Sequence, residues 1–170
     1  MSGIHLGRPW PLGASTTPRG VNFSVVAPMA TRVELLVFAH GEATEPCRVV
    51  ELDHRHCSGS HWHVEVEGLG IGTCYGYRVF GPLLPGGHGF NPSKVLLDPC
   101  ARAIAGWSQY DRGTAVGAAP NTSTCLKGVV TERDLFDFAH APRPRHSWQN
   151  TVIYELHVGG FSRGEGSPVS

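Results

Sequence analysis

Four stretches of the chain place apolar residues on every second position. Val21, Phe23 and Val25 alternate with Asn22 and Ser24, and Pro28 closes the run, the pattern of a strand with one buried face. Val33, Leu35 and Val37 repeat it, but Leu36 and Phe38 make the second face apolar too, so residues 31–39 are expected to be covered on both sides. A shorter candidate spans 47–52. In 61–66, Trp62, Val64 and Val66 face one way and His61, His63 and Glu65 the other. After the turn Gly68-Leu69-Gly70-Ile71-Gly72, Tyr75, Tyr77 and Val79 share a face, while Gly76 leaves room for a neighbour on the opposite side. Short strands at regular spacing with no helical period between them predict an all-β fold, an immunoglobulin-like antiparallel β-sandwich.

The strand at 73–80 runs into a connection punctuated by Gly81-Pro82, Pro85-Gly86-Gly87 and Asn91-Pro92, whose prolines fix φ and whose glycines permit tight turns. Past Ile104 the periodicity fades. Residues 106–150 are rich in Gly, Ala, Thr, Ser, Pro and His and read as a wrapping linker. Residues 151–158, Thr-Val-Ile-Tyr-Glu-Leu-His-Val, are the most apolar run and read as a buried strand of a second domain. Residues 159–170 encode no neighbour for it, so the expected organisation is a sandwich at 1–105, a linker at 106–150 and an orphan strand with a truncated tail at 151–170. An unpaired apolar strand is a template for association, which makes self-association through 151–158 an expectation.

Composition narrows the classes of function. Hydrophobic residues are 41% and charged residues 16%, which suits a globular domain, and 22 Gly with 13 Pro suit one rich in turns. A formal net charge of zero gives no general field for phosphate backbones or anionic lipid, so neither nucleic acid nor a membrane is an expected partner. Residues 1–10 lack an apolar leader core, and the five cysteines stand singly; the expected setting is cytoplasmic, with reduced thiols. No phosphate-binding glycine loop or His-Glu-x-x-His motif is present, and no cofactor is expected.

Candidate chemistry is sparse. His54, His56, Cys57, His61 and His63 are donor types that zinc accepts, but their spacing fits no finger, and a solvated loop is the plainer reading; no metal is expected. Glu155 and His157, two apart on an expected strand, would project from one face. Asp98-Pro99 reads as a turn rather than a catalytic acid. Sugar binding needs exposed aromatic rings beside polar groups. Trp62 and Tyr77 share faces with valines and belong to the core, which leaves Trp10 and Trp107, outside the strands, as carbohydrate-platform candidates.

The order of several motifs also carries a resemblance. Pro11-Leu12-Gly13-Ala14, Gly20-Val21-Asn22-Phe23-Ser24-Val25, Ala30-Thr31-Arg32-Val33-Glu34-Leu35, Tyr75-Gly76-Tyr77-Arg78-Val79, Gly81-Pro82, Phe90-Asn91-Pro92, Lys94 and Asp98-Pro99 together resemble the N-terminal domain of isoamylase-type glycogen debranching enzymes. That domain is a family-48 carbohydrate-binding module in glycoside hydrolase family 13. Phe136-Asp137-Phe138 resembles the family's linker, and 151–157 the first strand of its (β/α)₈ catalytic barrel. Cys100 and Phe138 depart from the family's usual aromatic and Trp. The resemblance implies a non-catalytic N-terminal module of an α-1,6-glucosidase. The catalytic carboxylates would come from later barrel strands, so the chain alone is expected to be inactive and to bind α-glucan, glycogen or amylopectin-like, only weakly. The other readings are a stand-alone glycogen-binding or protein-interaction module and a metal-binding β domain using the histidine cluster.

Overall fold

The computed structural model describes residues 3–82, 89–132, 140–141 and 144–163. Its elements are β1 (Ile4–His5), β2 (Gly13–Thr16), β3 (Gly20–Val26), β4 (Arg32–Phe38), β5 (Arg48–Leu52), β6 (Cys57–Ser58), β7 (His61–Glu67), β8 (Cys74–Phe80), β9 (Ala103–Ala105), β10 (Lys127–Val129) and a short helix α1 (Val158–Ser162). Two antiparallel sheets form an immunoglobulin-like sandwich. Sheet 1 runs β1-β7-β3-β2, with β6 also paired to β7, and sheet 2 runs β5-β4-β8-β10-β9. The registers put Val21 opposite Val66 and Phe23 opposite Val64 in sheet 1, and Val33 opposite Val79 and Leu35 opposite Tyr77 in sheet 2.

Because side chains alternate across a strand, these registers send every expected inward residue to one core. Val21, Phe23, Val33, Leu35, Trp62, Val64, Tyr75 and Tyr77 are all buried there. Phe23 of sheet 1 meets Tyr75 of sheet 2 edge to face at 5.0 Å, a contact worth about 0.5–1.5 kcal/mol beyond its buried area. The Trp62 indole donates to Ala27 O at 3.2 Å, which satisfies its one polar atom inside the core.

The second apolar face of β4 is also covered. Leu36 and Phe38 pack with Cys74, Val95 and Cys125 in a separate cluster. Gly76 makes this possible: a Cβ there would stand 2.8 Å from Val95 Cγ1 and 3.3 Å from Leu96 O. The backbone of Leu96 then pairs with that of Tyr77, and the Asn121 amide continues the edge, donating to Val95 O at 3.1 Å and accepting from Val95 N at 2.7 Å. Lys94 is buried, and its ammonium donates to the carbonyls of Thr114 (2.6 Å), Val116 (3.1 Å) and Ala119. A buried charge with that many carbonyl acceptors holds the 114–119 loop in one shape. Asn91 adds a bond to Gly117 O at 3.1 Å. The Phe-Asn-Pro and Lys signals are thus fold-organising residues.

Two expectations are corrected. The 105 boundary falls inside sheet 2, because β10 lies between β8 and β9. Compact units span Met1–Leu135 and Phe136–Ser170. With only Lys127, Gly128 and Val129, β10 is too short to show a period. The run at 151–158 is not a strand: residues 151–157 pair with no strand among the described residues, and Val158 begins α1. A strand exists through its ladder, and without one among the described residues Val152, Ile153 and Tyr154 are 78%, 73% and 87% exposed. The Phe136-Asp137-Phe138 segment and Pro85-Gly86-Gly87 lie outside the described residues.

Candidate carbohydrate-contact site

The outer face of sheet 1 carries buried polar side chains, Asn22, Ser24 and His63, and across it lies an N-terminal strap of residues 6–10. Asn22 accepts from Arg8 N at 2.7 Å and donates to Arg8 O at 3.0 Å; Ser24 Oγ donates to Pro9 O at 2.7 Å. His63 Nδ1 lies 2.7 Å from Leu6 O, and since a carbonyl only accepts, Nδ1 carries the proton. In the neutral ring Nε2 then accepts from the Ser58 hydroxyl at 2.8 Å. Gly7, at φ 71°, is needed for the close approach: a Cβ there would meet Asn22 Oδ1 at 2.6 Å and Glu65 N at 2.7 Å.

This strap ends at Trp10. Trp10 is 61% exposed, and its ring rests beside His61, with centroids 5.2 Å apart and planes at 48°. The arrangement is an exposed aromatic face on a backbone held by four side-chain hydrogen bonds, with an imidazole beside it. Such a face can stack on the apolar side of a sugar ring while polar neighbours take hydroxyls. Trp107 is likewise exposed, next to Tyr110 and just past β9.

The histidine cluster has other employment. His56 Nδ1 lies 3.1 Å from Asp53 Oδ1, and Asp53 caps the turn His54–His56. The Arg55 side chain, helped by the Arg55 N–H and by His56, holds the Asp53 carboxyl well below the usual carboxylate range. Cys57 bonds to Gly59 O, and His63 pins the strap. Among the described residues no three His, Cys, Asp or Glu side chains are placed to hold a metal ion.

Asp98 is buried, accepting from the Tyr75 hydroxyl and from Cys100 N, each at 2.8 Å. Burial pushes its pKa up, partly offset by those two bonds. It is a structural carboxylate tying the 98–100 turn to the core. Glu155 and His157 are exposed and share no strand face; His157 Nδ1 accepts from Gly160 N at 3.0 Å and caps α1.

Sequence reasoning passed over a charged patch on the outer face of sheet 2. Arg32 sits 3.7 Å over the Phe80 ring and pairs with Glu34 (3.4 Å) and Glu51 (3.3 Å), while Arg78 pairs with Glu34 at 3.0 Å. Its signal was legible in the period of two at 32, 34 and at 78, 80. An apolar groove of about 370 Å³ between Val25, Ala27, Val79, Phe90, Leu96 and Pro99 offers almost no partner for hydroxyls and does not suit a sugar.

Residues 11–101 match the family model of carbohydrate-binding module 48 (isoamylase N-terminal domain). The chain is 40% identical over 169 residues to the glycogen debranching enzyme of Pectobacterium atrosepticum, covering 96% of this chain and 25% of that protein. To the glycogen debranching enzyme of Pectobacterium carotovorum subsp. carotovorum it is 38% identical, with the same coverage. The chain therefore spans about a quarter of the length of these curated relatives. Among solved structures, the pullulanase SAP of Group B Streptococcus superposes with a TM-score of 0.51 at 19% identity, covering 72% of this chain and 14% of that one, a likeness of fold. A family match over more than half of the chain, on the sandwich described above, settles the affiliation: the chain belongs to the carbohydrate-binding module 48 family, the isoamylase N-terminal domain.

Proposed function

We propose that this chain is the α-glucan-contacting N-terminal module of a glycogen debranching enzyme, and that the parent hydrolyses α-1,6-glucosidic branch links in glycogen or a related glucan. The observation that carries the contact is the Trp10 ring, exposed beside His61 on a strap that sheet 1 pins from below. Retaining hydrolysis needs a nucleophile and an acid, both carboxyl groups, about 5 Å apart on a rigid scaffold. Asp98 is bonded into the core and Glu155 is exposed outside any element, so the two do not form such a pair. The module therefore holds glucan and leaves the chemistry to the remainder of the parent.

One stacking platform, worth about 1 kcal/mol beyond the area it buries, supplies only part of the roughly 4 kcal/mol that a millimolar site needs, so weak binding is expected. Affinity electrophoresis in amylopectin gels tests the reading. Weak retardation that falls with Trp10→Ala is expected, with no release of reducing ends from glycogen or pullulan. Mobility unaffected by amylopectin, or hydrolysis by the purified chain, would refute it.

A second reading concerns association. The exposed run at 151–157, with Val152, Ile153, Tyr154 and Leu156 open to solvent, favours concentration-dependent self-association of this chain. Light scattering over a concentration series should show it, and a chain ending at Asn150 should stay monomeric. Equal behaviour of the two would rule it out.

A further inference from the structure

Residues 106–110 form a second exposed aromatic site on the sandwich. They leave the sheet directly at the end of β9, and the turn is closed by Gln109 N donating to Gly106 O at 3.2 Å. Gly106 has φ 95° and runs against backbone: a Cβ there would stand 3.1 Å from Gly41 O and 3.2 Å from Cys125 O. The turn is therefore seated on the edge of sheet 2 and carries its side chains in a fixed place. Trp107 and Tyr110 are 63% and 39% exposed, with ring centroids 6.0 Å apart and planes at 77°. Between them in sequence, Gln109 is half-buried, and its Oε1 is buried with no hydrogen-bond partner. An unmet acceptor of this kind costs free energy unless something donates to it.

We propose that this corner is a second contact for α-1,4-linked glucan, separate from the Trp10 face. This rests on the reading of the chain as a glucan-binding module. Two rings near a right angle make a floor and a wall. The floor takes the apolar face of one glucose, and the wall takes the rim of the next unit, whose plane is turned in an α-linked chain. Asp111 and Arg112, both exposed, come directly after Tyr110 and offer the sugar hydroxyls polar groups. A flat cellulose-like chain suits a coplanar row of rings, whereas an angled pair suits a curved chain. With Trp10 on the strap over sheet 1 and Trp107 beyond the edge strand of sheet 2, a branched polymer can engage both contacts. The second then binds at high effective concentration.

Affinity electrophoresis in amylopectin gels of the full chain, with Trp107→Ala, Trp107→Phe, Gln109→Ala, Trp10→Ala and the double Trp10→Ala/Trp107→Ala, tests it. Thermal midpoints check that each variant is folded, and the exposure of Trp107 predicts little change. Trp107→Ala should weaken polymer binding by roughly three- to tenfold. Trp107→Phe should recover most of the loss, Gln109→Ala should change binding little, and the double variant should lose more than either single one. Binding of maltotriose should fall less than binding of the polymer. If Trp107→Ala migrates like the parent chain while Trp10→Ala loses retardation, the second contact is wrong and the module reading stands. If the parent chain itself shows no retardation, the module reading fails and takes the second contact with it.

Discussion

The two sheets of the sandwich have outer faces that are covered by opposite means. Over sheet 1 the buried groups are Asn22, Ser24 and His63, and the cover is backbone, residues 6–10, held by side-chain-to-main-chain hydrogen bonds. Over sheet 2 they are Leu36, Phe38 and Cys74, and the cover is Val95 and Cys125. A polar cover is directional: each donor has one acceptor, so the strap has one register and Trp10 one position. An apolar cover is non-directional and contributes mainly by area and packing. The face that fixes the candidate sugar contact and the face that adds stability are therefore different parts of the molecule, and substitutions should separate them.

The largest effect on stability is expected from Phe38→Ala. Removing the ring on which the sheet 2 cover packs should cost about 3–5 kcal/mol in denaturant unfolding, while glucan affinity of the Trp10 contact per folded molecule stays unchanged. A parallel loss of affinity would mean that the two faces are coupled. Asn22→Ala comes next. It strips partners from Arg8 N and Arg8 O beneath the strap and should cost about 1–3 kcal/mol, with glucan affinity falling as well because Trp10 loses its fixed seat. Stability lost with affinity intact would show that the strap does not position the ring.

The smallest effect is one of sign. Burial raises the Asp98 pKa, so folding favours its protonated form. That contribution is fully present below the unfolded value of about 3.9 and is lost as pH rises through the folded one. Glu65, on sheet 1, is lowered, chiefly by the Thr17 hydroxyl at 2.7 Å and further by Arg19. Its contribution is present above the unfolded value of about 4.3 and is lost as pH falls through the folded one. Unfolding free energies measured between about pH 3 and 6 should therefore deviate in opposite directions when Asp98→Asn and Glu65→Gln are each compared with the parent. Deviations of the same sign would contradict the assignment.

The legibility of the fold in the amino-acid pattern divides along the same line. Apolar alternation marks β3, β4, β7 and β8, the double-sided character of β4 and the vacancy at Gly76, because hydrophobic burial leaves a period. The strap left none: residues 6–10 are held by polar groups on other strands, so neither Asn22 nor His63 announces its partner. Lys94 reads as a surface cation until three carbonyls of a distant loop close on it. At 151–158 the pattern was present, but among the described residues no strand pairs with it, and apolar residues alone do not make a strand. Of the candidate site, Trp10 and Trp107 could be named as rings outside the strands, but His61 and Tyr110 beside them could not, since ring contacts depend on folded geometry.

In our reading glucan is held on the strap's exposed ring rather than on an aromatic of the core. Titration of ¹⁵N-labelled chain with maltoheptaose, followed through tryptophan indole N–H signals, distinguishes the two. The Trp10 indole signal should shift progressively and saturably, while that of Trp62, whose N–H is bonded to Ala27 O inside the sandwich, stays in place. A stationary Trp10 signal, with the largest shift at Trp62, would overturn the assignment.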